Sequence, residues 1–295
     1  MAAVRRTHGE AAGRALGEGT QMKRIVIAAG CALACCASAG IGAATAAAEL
    51  PELGRCIEVA TKTGKYGGSH CVSPSKTGKG RYEWLPGPGA RKKFTANVES
   101  PVLQGAGASK LNVKCEFGEV EGEYTSEKAA SITKLLLLNC RTPLKPGEAV
   151  IKTWCQNVGA FRGEVTAQEL TGELGYIERS LRTLVGLDVK AKTGKALAIF
   201  ECGGALEVGE HGTGTGTLVE VEGSVIGRVK KIDSMAEENL VTFTVKNGAQ
   251  VPEQLEGGAK DTLITNVGVT KTAEPSTFSG FAEVTNQEPL EIKAK

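Results

Sequence analysis

From position 49 onward the chain is a succession of short runs in which apolar side chains recur at every second position, separated by Gly, Pro and Asn. That period puts successive side chains on opposite faces of an extended backbone, so such runs fold as half-buried sheet. Strands are expected over 111–117, 131–140, 149–156, 183–190, 196–202, 217–222, 240–246, 262–269, 278–285 and 289–293. Val, Ile, Leu and Thr dominate them, and Asn247-Gly248 supplies a tight hairpin turn. The stretch 126–139 also suits an amphipathic helix with residues 135–138 inside; a strand is preferred because Cys140 then joins a sheet. Single helical turns are expected at 233–237 and 252–255. The fold class expected is all-β, an antiparallel sandwich or barrel with a small N-terminal disulfide-pinned module.

A different composition precedes this pattern. Lys23 and Arg24 are followed by 24 uncharged residues, 25–48, eleven of them Ala. A basic start, an apolar stretch and small-residue exits such as Ala46-Ala47-Ala48 are the signature of a secretory signal peptide. Residues 1–48 are therefore expected to be a leader cleaved before Glu49, and a start at Met22 gives a signal of 27 residues. So Ala-rich a segment inserts poorly as an anchor, and Cys31, Cys35 and Cys36 lack a clean lipidation context. The expected location is secreted or at the cell envelope, with membrane contact only if the leader stays uncleaved.

Export changes how cysteines read. Cys56, Cys71, Cys115, Cys140, Cys155 and Cys202 remain after the leader, an even set that implies a disulfide framework in an oxidising compartment. Cys115, Cys155 and Cys202 are in phase with the apolar positions of their runs, so they point inward. Pairing each cysteine with its neighbour gives 56–71, 115–140 and 155–202. No C-x-x-C occurs after the leader and only His70 and His211 remain there, so neither a metal site nor a cofactor is expected.

The formal charge of +2 is unevenly spread. Residues 49–97 carry nine Lys/Arg against four Glu, whereas 98–295 carry 21 against 27. This divides the exported chain into a basic N-terminal module, 49–97, and a β-rich main domain, 98–295. In the module, Lys62, Lys65, Tyr66, Lys79, Arg81, Tyr82 and Trp84 interleave cations with aromatic rings, a combination suited to an anionic cell-wall or extracellular polymer. Solvation of a loop, or docking of this arm on the acidic domain, explains the same residues. No specific nucleic-acid partner is indicated.

Catalytic patterns are weak. Lys-Thr-Gly occurs at 62–64, 76–78 and 192–194, and Ser-x-x-Lys at 73–76 and 131–134, but the third box of the penicillin-recognising enzymes is missing. Thirty Glu leave a hydrolase open as the alternative, with no pair singled out, and three Asp argue against Asp-rich calcium loops. The 212–217 run of alternating Gly and Thr lacks the spacing of a phosphate cradle and reads as a flexible loop. No catalytic residue is assigned. A deep pocket holding a Glu pair would favour the hydrolase, and a filled core with a flat basic-aromatic face near Tyr82 and Trp84 a binding or structural protein.

Several phrases, among them ELPELGRC (49–56), YEWLPGP (82–88), ELTGELGYI (169–177), FECGG (200–204), GSVIGRV (223–229) and QVPEQLEGGAKDTL (250–263), resemble a group of secreted proteins of high-GC soil actinobacteria. The resemblance implies export, a β-rich fold and disulfides, and carries over no activity, cofactor or functional residue.

Overall fold

The computed structural model describes residues 51–142, 153–180, 183–206 and 209–295. The leader expected over 1–48 and positions 149–152 of one expected strand lie outside them. Among the described residues the secondary structure is strand throughout. The strands are β1 (Glu52–Glu58), β2 (Tyr82–Pro86), β3 (Lys93–Gly105), β4 (Asn112–Lys114), β5 (Phe117–Tyr124) and β6 (Ala129–Leu138). Next come β7 (Arg141–Thr142), β8 (Thr153–Gln156), β9 (Val165–Thr166), β10 (Leu170–Glu178), β11 (Leu184–Ala191) and β12 (Ala196–Cys202). The last five are β13 (Thr217–Val229), β14 (Ala236–Lys246), β15 (Ala249–Val251), β16 (Leu263–Val267) and β17 (Thr272–Lys293).

Their antiparallel pairings close on themselves twice. One circuit runs β17, β3, β5, β6, β10, β11, β13, β14 and back to β17. The other runs β17, β3, β4, β7, β8, β12, β13, β16 and back to β17. Both have an even number of strands, as a ring of alternating directions requires. The two circuits thus close the sheet into a barrel, a closure that pairs both edges of the strands in them; β2 and β15 lie outside the circuits, paired with β1 and β14. The three strands common to both circuits are long enough to change partners midway. In β3, positions 93–99 pair with β5 and positions 102–104 with β4. The change falls at Ser100-Pro101, opposite Gly280, where the register with β17 shifts. Pro101 has no N–H to offer a ladder, and its carbonyl instead accepts from Cys115 N.

Within 126–139, residues Ala129–Leu138 form strand β6, not helix, and 126–128 make the turn that precedes it. Its edges are held by β5 and by β10 and β9, and the register shift beside Lys134 leaves Thr133 as a bulged residue. No helical turn forms at 233–237, where β14 begins, or at 252–255, where Gln254 bridges to Lys260. The runs 278–285 and 289–293 are one strand, β17, with Pro289 inside it. Asn247 and Gly248, at φ 53° and 77°, make the turn between β14 and β15, backbone angles that suit a type I′ hairpin.

The module expected over 49–97 is built on β1, which pairs with β2 and with the end of β17. β3 runs unbroken through position 97/98, where composition alone places the module's boundary. Leu53 of β1 packs with Val185, Leu290 and Ile292, so the module's first strand belongs to the barrel's core. The disulfides are Cys56–Cys71 in the module and Cys115–Cys140 and Cys155–Cys202 in the second circuit, the pairs that neighbour order suggests. Cys155 and Cys202 stand directly opposite across β8 and β12.

Candidate functional site

The seven basic and aromatic residues singled out in the module divide into two groups. Lys62, Lys65, Lys79 and Arg81 are exposed; Arg81 Nε donates to Glu58 Oε1 at 2.7 Å, and Lys65 Nζ lies 5.6 Å from the Tyr66 ring centre. Tyr66 is buried, and Tyr82 and Trp84 pack around it and Cys56–Cys71. Tyr66 and Trp84 enclose a cation that belongs to this chain: Lys293 Nζ donates to the Tyr66 hydroxyl at 2.7 Å and lies 4.2 and 5.0 Å from the two ring centres. Trp84 Nε1 in turn donates to Glu52 Oε1 at 2.6 Å. A side chain at Gly54 would lie 2.4 Å from Trp84 Cζ2, so the indole's place against the backbone requires glycine there.

Beside Lys293 on the same edge of β17 stands Glu291, fully buried, with neither carboxylate oxygen hydrogen-bonded. Burial raises its carboxyl to about 7, Asp233 adding to the effect and Lys293 opposing it. Asp188, on β11, is raised to about 6 by burial and by Asp261. These acids stand on separate strands and neither lines the interior described next.

Elsewhere, the Gly/Thr run at 212–217 is pinned, not free. The buried Glu201 carboxylate accepts from Gly214 N at 3.0 Å and Gly216 N at 2.7 Å. Thr213 Oγ1 donates to Ala205 O, and Ala205 N donates to Thr215 Oγ1. The amides that a phosphate would have needed are thus taken by a side chain of β12. Nearby, exposed Phe161 stacks on His211 at 4.2 Å.

The feature without a counterpart in the sequence reading is the barrel's interior, which holds a cavity of about 210 Å³. Its walls come from both circuits, including Phe94, Ile132, Val189, Phe200, Val225 and Leu263. Small inward residues, Ala96, Ala130, Ala167, Ala198 and Ala282, leave the space that larger ones would fill. Among the described residues lining it there is no Asp, Glu or His; the polar side chains are Tyr124, Ser126, Lys128 and Asn239. Burial pushes the Tyr124 hydroxyl up, and it donates to Asn286 Oδ1 at 2.8 Å. A hollow of this size is energetically conspicuous. At about 24 cal/mol per Å³, a closed and empty cavity of such a volume costs about 5 kcal/mol, comparable with the whole stability of many domains. No family model, curated protein or solved structure matches the chain.

The core is therefore not the filled one that a binding or structural protein was expected to show, nor is it a pocket with a Glu pair. Emptiness leaves no mark on an alternation pattern, since Ala and Val satisfy the inward positions whether or not they meet across the barrel. The available signal was the number of inward Ala residues on strands otherwise carrying Phe, Leu and Val.

Proposed function

We propose that this is an exported, non-enzymatic binding protein whose site is the apolar interior of the barrel. The observation that carries the reading is the 210 Å³ cavity walled by aliphatic and aromatic side chains and free of acid–base pairs among its described lining residues. Such a space favours a largely apolar guest, because its wall is aliphatic and aromatic over most of its extent and apolar cavities hold water poorly; an engineered one of about 150 Å³ stays dry and takes up benzene. The three disulfides support both parts of the reading. They suit an oxidising compartment, and their loop closure adds stability that offsets an unfilled core.

Titration of the purified, oxidised protein with the neutral dye N-phenyl-1-naphthylamine tests this. Saturable fluorescence enhancement is expected, abolished in Ala130→Leu, which places a larger side chain in the cavity. A protein that gives no enhancement, or gives the same enhancement after Ala130→Leu, refutes the reading.

A second reading has its own observation. Lys62, Lys76 and Lys79 are exposed and have no ion-pair partner among the described residues, so the module would hold an anionic envelope polymer by charge. With Tyr66 and Trp84 committed to Lys293, such binding would lack ring stacking and fall steeply with salt. Retention on heparin resin that is unchanged in a Lys62, Lys76 and Lys79 triple Gln variant would remove it.

A further inference from the structure

We propose that the guest is amphipathic: a medium-chain hydroxycarboxylate whose hydrocarbon fills the cavity while its carboxylate meets Lys128 and its hydroxyl meets Asn239. The inference rests on the binding reading above. Its basis is the uneven distribution of polarity along the interior. Ser126 and Lys128 lie in the turn between β5 and β6, and Tyr124 ends β5. Asn239 lies near the start of β14. Backbone hydrogen bonds tie these places together: Leu53 N donates to Glu127 O, Leu53 stands opposite Ile292, and Asp233 N, just before β14, donates to Ile292 O. The polar lining therefore gathers at the end of the barrel where β1 is seated. The far part, around Val113, Phe200 and Leu263, is apolar.

Two groups at that polar end lack partners. Lys128 is the one cation lining the cavity among the described residues, and no carboxylate pairs with it. Asn239 is 6% exposed and its Oδ1 accepts no hydrogen bond. A buried amide oxygen without a donor is costly, and here it faces a space with room for a ligand. Ser126 Oγ is already committed, accepting from Lys128 N at 3.2 Å and Ala129 N at 3.1 Å. An unpaired ammonium selects an anion, and an unpaired acceptor selects a hydroxyl. If each methylene takes roughly the 30 Å³ of a water molecule, the cavity of about 210 Å³ holds a chain of about seven carbons.

Calorimetric or dye-displacement titrations with octanoate, 3-hydroxyoctanoate and octan-1-ol at pH 8 test the assignment. Octanoate is expected to bind at least about tenfold more tightly than octanol, the worth of one charge-assisted hydrogen bond. Lys128→Met should erase that advantage while leaving octanol unchanged, which shows that the variant is folded, and Lys128→Arg should restore it. The hydroxy acid should bind about fivefold more tightly than octanoate, and equally in Asn239→Leu. Octanol binding as tightly as octanoate, or octanoate indifferent to Lys128→Met, overturns the proposal while the apolar interior still stands as a site. A hydroxy acid no tighter than octanoate overturns the part assigned to Asn239. If none of the three binds and the neutral dye also fails, both the proposal and the reading beneath it fall.

Discussion

Replacing Glu291 by Gln is expected to stabilise the protein at pH 8 and to change almost nothing at pH 4. The carboxyl is fully buried on β17, opposite Gly54 of β1, with no hydrogen-bond donor to either oxygen. Burial raises it from an ordinary 4.5 to about 7. A raised acid binds its proton more tightly in the folded state, so its stabilising effect is complete below pH 4.5 and is lost as the pH climbs through 7. At about 1.4 kcal/mol per pH unit, the interval between 4.5 and about 7 corresponds to about 3 kcal/mol. Gln mimics the protonated acid and carries no charge at any pH. The difference in unfolding free energy between variant and parent should therefore grow from near zero at pH 4 to about 3 kcal/mol at pH 8.5. Urea unfolding followed by tryptophan fluorescence measures it, because Trp84 lies against Gly54, the residue paired with Glu291; other titrating groups cancel in the comparison. A difference that does not vary with pH, or a Gln variant less stable than the parent at pH 8.5, would show that Glu291 is solvated or paired and would refute the argument.

Other expectations follow from the same contacts. Lys293→Met removes the cation that opposes the rise in Glu291, so the pH midpoint of stability should move upward; the loss of its bond to Tyr66 should also cost about 1–2 kcal/mol at pH 5 in urea unfolding. Ala130→Leu should raise the melting temperature, by up to about 2 kcal/mol of stability, because it fills space instead of displacing neighbours. The double replacement Cys155→Ala with Cys202→Ala opens a loop of 47 residues and should cost about 4 kcal/mol, against about 3 kcal/mol for the Cys56 and Cys71 pair, in denaturant titrations. Glu201→Ala strands the Gly214 and Gly216 amides, so limited proteolysis should cut near 212–216 in the variant before it cuts the parent.

The strands most visible in the sequence are those whose inward positions carry Val, Leu, Ile or Phe, as in β11, β12 and β16, and Cys115, Cys155 and Cys202 were legible as inward because they share that phase. β5 was not, because two of its inward positions are Gly. A side chain at Gly122 would stand 2.4 Å from Phe94 Cζ, and one at Gly118 2.7 Å from Leu137 Cδ2; large neighbours take the space, so the alternation is written in absent side chains. β3 was hidden differently. Its first half, Phe94, Ala96 and Val98, alternates cleanly, but the change in charge at 97/98 suggested a boundary inside it. For the site, the basic positions of the module are exposed as their chemistry suggests, while Tyr66 and Trp84 answer to a lysine some 200 residues away, a partnership set by register between β1 and β17. Charge and ring content report what a segment contains, and only the fold decides what faces it.

β17 is synthesised after every strand it pairs with, yet β1, β3, β14 and β16 all depend on it, and neither circuit closes without it. Until its 22 residues emerge, the growing chain has only open sheets. At about 5–20 residues per second, the stretch from Gly105, which ends β3, to Thr272, which opens its closing partner, takes roughly 8–33 seconds. During that interval β3, which pairs with β17 over ten positions in the finished barrel, presents a bare edge, and bare edges recruit other chains. The same arrangement keeps the polypeptide unlocked until late, a state compatible with threading through a narrow pore and refractory to premature closure. The strand that completes the barrel thus also sets the latest moment at which the chain can still be handled as a chain.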